Sequence, residues 1–217
     1  MRSLVQPAIL KSAGSAALLT TLACYPRLVL WDARRLPVWY LELTVLLSSF
    51  FLWSFVFAWQ GRYAGRDPLR LPRSSGLWAA ATTAALAAAA LNHFLLDRIL
   101  RGVAPEGYPT GLESWLAMVL FALSFTQLFL LYSPLAFFLR LLSKRGLAVA
   151  LTLAFSVFVM SLKVAASKSP PPPALLAELV AIRVASGALL LYFYLKGGLA
   201  LAWWVSFLTQ ARYLLTL

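Results

Sequence analysis

Acidic residues, cysteine and histidine are all scarce in this 217-residue chain: one cysteine, one histidine, and seven Asp and Glu together. The lone cysteine, Cys24, excludes an internal disulfide and any cysteine metal cluster, and reads as a small buried apolar residue. The lone histidine, His93, excludes a haem or metal site built on several histidines, so no metal site and no cofactor is expected. His93 is the one side chain suited to ligating a chlorophyll-type magnesium or a haem iron. Catalytic motifs are missing as well. The chain contains no HExxH, no GxSxG, no phosphate-cradling glycine loop and no adjacent acidic pair.

What is present is apolar. Hydrophobic residues make up 62% of the chain and charged residues 12%, against about half and a quarter in soluble domains. That much apolar surface does not fit inside one water-soluble core of this length, so lipid is expected to be the solvent for much of it. The formal charge is +12, but the 19 Lys and Arg are scattered between apolar runs. Basic residues at helix ends follow from the positive-inside bias and from snorkelling to headgroups, and nucleic acid is not expected as a partner. No cleavable signal peptide is expected, because the run after Arg2 and Lys11 is broken and merges into the body of the chain.

A helix needs about 20 apolar residues to cross the hydrocarbon layer. Apolar runs bounded by charge or proline place six spans, at 36–59, 76–96, 114–142, 147–165, 174–195 and 199–217. The third is overlong and contains Pro134, which predicts a kinked, tilted helix whose end projects from the bilayer. Residues 12–30 are ambiguous. Fifteen residues separate Lys11 from Arg27, and Pro26 interrupts the end, so this stretch reads as an interfacial helix or a seventh span. The expected fold is an all-α polytopic transmembrane bundle forming a single domain, 1–217. Within it lie an N-terminal helix (1–35), a first helix pair (36–113) and a four-helix core (114–217).

The loop at 60–75 holds Arg62, Arg66, Arg70 and Arg73 against Asp67, and the turn at 140–146 holds Arg140, Lys144 and Arg145. Both are expected on one side, the cytoplasmic one by the positive-inside bias, and Arg34 and Arg35 disagree by falling on the other. The most economical setting is a bacterial cytoplasmic (inner) membrane. Prolines 170–173 favour a stiff extended connector or a docking site for a partner. Trp31, Trp39, Trp59, Trp78 and Trp115 sit near span ends, as an aromatic belt requires, and the Ala/Thr-rich stretch 79–90 predicts a span central in the bundle.

Ionisable residues within spans normally face partners or polar cavities. Glu42 lies nearly two turns into the first clear span. His93 and Asp97, four apart, share a helix face and form either a proton relay or a hydrogen-bonded pair near the interface. Glu178 and Arg183, five apart, reach different partners, and Lys163 snorkels. Glu42, His93, Asp97, Glu178 and Arg183 are the candidate intramembrane polar site.

The second half resembles a known family. SPLAFFLRLLSKR at 133–145, residues 151–163, ASGALLLYFYLKGG at 185–198 and LALAWWVSFLTQ at 199–210 follow the helix rhythm of the membrane glutamic proteases, which include the CAAX prenyl proteases and bacteriocin-processing relatives. That family carries paired glutamates, a Phe-x-x-x-His and a final His-x-x-x-Asn. The resemblance implies that the glutamate activates a water which the histidines and asparagine hold. In this chain the glutamate positions fall near Ser133 and Pro134, the first histidine near Val159, and the final pair on Ser206 and Gln210. None of these exchanges protons near neutrality. The resemblance therefore implies a pseudo-protease.

The leading expectation is a non-catalytic integral membrane subunit or scaffold of a larger membrane complex, with the lipid bilayer and other membrane subunits as partners. The alternatives are a transporter or lipid carrier using the intramembrane charges, and an active intramembrane enzyme using His93 and Asp97.

Overall fold

The computed structural model describes residues 4–30, 36–65, 67–103, 108–142, 144–165 and 172–216. Every regular element among them is helical, and the chain is an all-α polytopic helix bundle. Six helices are long and apolar enough to cross a membrane: α1 (Pro7–Leu30), α2 (Val38–Ala64), α3 (Ser75–Asp97), α4 (Leu112–Leu141), α5 (Arg145–Ala165) and α6 (Pro173–Gly197). A shorter helix, α7 (Leu199–Ala211), follows and ends in a 3₁₀ turn, Arg212–Thr216.

Six is also the number of spans read from the sequence, but the membership differs. The ambiguous N-terminal stretch is a full 24-residue helix that runs through Pro26. The last segment is α-helical for 13 residues only. α1 belongs to the bundle because Ala13, Ala17, Thr20, Cys24 and Leu28 form a buried stripe of mostly small residues along it. Small side chains let α2 approach closely. Trp53 Nε1 donates to Thr20 Oγ1 at 2.9 Å, and Cys24 Sγ lies 3.4 Å from Ser124 Oγ on α4.

The central helix is α4, and the Ala-rich α3 is peripheral. Leu128, Leu131, Tyr132, Leu135 and Ala136 of α4 are buried against Trp53, Val56 and Trp59 of α2, Leu191 and Tyr194 of α6, and Leu199 and Ala202 of α7. α3 buries Ala81 and Ala85 against Phe193, Leu201 and Val205, while Leu86 and Phe94 stay exposed. Its alanines do permit close approach, but to α7 on one side only. Pro134 does not bring α4 to an end. Two π-helical stretches, Ala122–Thr126 and Leu128–Tyr132, precede it and absorb the distortion that a proline ring and its missing donor impose.

Pro170 and Pro171 lie outside the described residues. Pro172 is extended, and Pro173 opens α6, where a proline's fixed φ suits the first helical turn. The aromatic belt is partial. Trp39 is exposed at the start of α2, but Trp59 and Trp115 are buried inside the protein, and Trp31 lies outside the described residues. Buried Trp59 carries the Arg140 guanidinium 4.4 Å from its ring centroid, which puts the ends of α2 and α4 together. The loops at 60–75 and 140–146 thus lie at one end of the bundle.

The same end holds a tight joint. Gly198, at φ +80°, alone separates α6 from α7. A Cβ there would stand 2.5 Å from the Arg70 carbonyl oxygen and 2.8 Å from that of Pro68. Leu199 N donates to Pro68 O at 2.8 Å, so the loop after α2 plugs the break between the last two helices.

Candidate functional site

The opposite end of the bundle gathers the polar chemistry. Asp97, 3% exposed, closes a π-helical turn, His93–Asp97, at the end of α3. Its partner is Arg212, just past α7, with Nε 3.0 Å from Oδ2 and Nη2 3.4 Å from Oδ1. Tyr108 donates to Oδ1 at 3.1 Å, while Arg212 also donates to the Thr209 carbonyl and the Tyr213 hydroxyl. Burial, then the Asp97 carboxylate, pushes the Tyr108 phenol above its usual range, so it remains a donor.

His93 does not complete a relay. Its Nδ1 lies 3.8 Å from Asp97 Oδ2, beyond hydrogen-bond reach, and is buried without a hydrogen-bond partner. The π-helical turn changes the register that an ideal helix gives residues four apart. The carboxylate is meanwhile taken up by Arg212, which the sequence reading did not select. A signal for it existed. Counting helices puts the end of α7 beside the end of α3, and Arg212 and Asp97 are opposite charges at those ends.

Above this lock, toward the middle of the bundle, is a pocket of about 290 Å³ between α3, α5, α6 and α7, with an apolar side that includes Met160, Ile182 and Val205. Arg183, Asn92, Ser186, Ser206, Thr209 and Gln210 supply its polar wall. Arg183 Nε donates to Ser156 Oγ on α5 at 2.6 Å, and Gln210 Nε2 donates to Ser206 Oγ at 3.3 Å. Of the five intramembrane candidates, only Arg183 lines this pocket. Glu178 is exposed on α6, Glu42 is half-buried on α2, and Lys163 is exposed near the end of α5. Glu42, His93 and Glu178 thus do not share this pocket with Arg183.

The five family-matched positions are also divided. Ser206 and Gln210 face the pocket together, whereas Ser133 is buried in the α4 core, Pro134 and Val159 are half-buried, and none of these three lines it. Among the described residues, no cluster of three His, Cys, Asp or Glu is placed to hold a metal ion.

A second cavity, of about 660 Å³, lies toward the other end between α1, α2, α4 and α7. Leu19, Trp53, Phe57, Leu120, Leu123 and Trp203 line it, with Lys11 at one edge. Thr20 and Ser124 on its wall are engaged by Trp53, Cys24 and the Leu120 carbonyl, which leaves an apolar surface. Comparison with known protein families, curated proteins and solved structures finds no match to this chain.

Proposed function

We propose that the chain is a non-catalytic integral membrane subunit that binds a partner within a larger membrane complex. The observation that carries this reading is the Asp97–Arg212–Tyr108 lock. The carboxylate that would orient a catalytic His93 is spent on holding α3 to α7. Ser206 and Gln210 meet in one pocket without a proton-exchanging group beside them, in keeping with the pseudo-protease resemblance. The proposed setting is a bacterial inner membrane with the Arg-rich end cytoplasmic. The partner surface would be apolar, since Leu18, Leu22, Leu43, Leu47 and Phe51 stand exposed along α1 and α2.

The test is to purify the tagged chain from its native membrane in mild detergent and measure the mass of what elutes. A stoichiometric assembly that survives His93→Ala is expected. A free monomer under every mild condition would sink the proposal, and an activity abolished by His93→Ala would replace it with the enzyme reading.

A carrier of apolar molecules is the second reading, favoured by the 660 Å³ cavity. Filling it with Ala16→Trp should then lower transfer of a lipid probe between vesicles; equal transfer by both proteins would remove this reading.

A further inference from the structure

The geometry points to an oxyanion-binding site at Arg183, on the polar wall of the pocket between α3, α5, α6 and α7, for a ligand bearing a phosphate or carboxylate group. A guanidinium is charged at every accessible pH, and a charge in the hydrocarbon depth of a bundle is held only where something polar meets it. Arg183 lies ten residues into α6, about 15 Å along the helix at 1.5 Å per residue. It is set within an apolar helix long enough to cross a membrane.

Its one hydrogen bond goes from Nε to Ser156, a neutral hydroxyl, and it forms no ion pair among the described residues. Arg212, the other cation on the pocket wall, is matched by Asp97, so the two arginines are not equivalent. Fixing Nε on Ser156 leaves the paired Nη groups of a planar fork, the geometry that grips two oxygens of one oxyanion. Further donors converge on the same space. Ser206 accepts from Gln210 and keeps its own proton to give, Gln210 has a second amide N–H, and Ser186 adds a hydroxyl. A volume of about 290 Å³ accommodates a small anion or one headgroup. Two acids of the neighbouring helices are engaged or turned away: Asp97, at the end of α3, is held by Arg212, and Glu178, on α6, is exposed. This site is independent of whether the chain acts as a subunit or a carrier.

The test uses the full chain in nanodiscs of zwitterionic phosphatidylcholine, titrated with inorganic phosphate or acetate against chloride at equal ionic strength, and read by thermal midpoint. A parallel arm uses nanodiscs containing phosphatidylglycerol, with retained lipid counted by native mass spectrometry. Saturable stabilisation in the first arm identifies a soluble anion; one retained anionic lipid per chain in the second identifies a headgroup. In whichever arm responds, Arg183→Gln should weaken binding about tenfold or more, because a charge-assisted fork is lost. Lys163→Gln, an exposed cation near the end of α5, should leave binding unchanged. Should Arg183→Gln fail to fold, the pair Ser206→Ala and Gln210→Ala keeps the guanidinium and should still weaken binding about threefold or more. Wild-type protein that saturates in neither arm, or variants that bind as tightly as wild type, would overturn the site.

Discussion

The two ends of the bundle are fastened by different chemistry. At the Arg-rich end, Arg62, Arg70, Arg73, Arg140, Lys144, Arg145 and Lys196 face a single acid, Asp67, among the described residues. One acid cannot neutralise such an end. It is closed instead by a carbonyl accepting from Leu199, by the Gly198 joint, and by Arg140 lying on the face of Trp59. Asp67 shapes its own loop, its Oδ1 accepting from Leu69 N at 2.9 Å. At the opposite end a buried carboxylate is available, and one ion pair with a phenol joins helices 115 residues apart in sequence. Arg140 rests on a ring face, whereas Arg212, matched by Asp97, is largely withdrawn from the surface.

Breaking each fastening separates the two modes. Asp97→Asn leaves Arg212 buried without its counter-charge and should cost the most, about 3 to 5 kcal/mol, measured by equilibrium unfolding in mixed micelles. Asp97→Ala with Arg212→Ala together should cost clearly less than the sum of the single changes. Gly198→Ala, strained in φ and pressed on the Arg70 carbonyl, should cost about 2 to 3 kcal/mol in the same assay. Arg140→Gln gives up the ring face and should cost about 1 to 2 kcal/mol. Tyr108→Phe removes one of the hydrogen bonds to Asp97 and should cost least, about 1 kcal/mol. A Gly198→Ala effect larger than that of Asp97→Asn would reverse the comparison.

Much of the fold was legible because hydrocarbon thickness imposes a length on apolar runs, and five of the six long helices fall where those runs do. The exceptions have identifiable causes. α1 has the lowest mean hydropathy of the six, 1.3, and carries Lys11 and Pro26, which mask a helix that packs by its small residues. α7 reads as a span by composition, but Gly198 starts it and its last turn tightens to 3₁₀ at Arg212. Periodicity from 3.6 residues per turn puts His93 beside Asp97, and the structure brings them to 3.8 Å, but the π turn, which no residue type announces, leaves them without a hydrogen bond. Glu178, five residues from Arg183, is exposed, while Arg183 lines the pocket. The pocket was half legible. Arg183 stood out as an intramembrane charge, but its neighbours Asn92, Ser186 and Thr209 are ordinary helix residues until four helices bring them together.

Gly198 also bears on biogenesis. With one residue between them, α6 and α7 cannot enter the bilayer separately. α7 is 13 residues, about 20 Å of α-helix, and depends on the 3₁₀ turn that follows it to approach the roughly 30 Å of the hydrocarbon layer. The two are expected to insert as a hairpin, the long helix carrying the short one. The receiving socket, Pro68 to Arg70, is synthesised before the hairpin emerges, so the hairpin closes onto a surface already made.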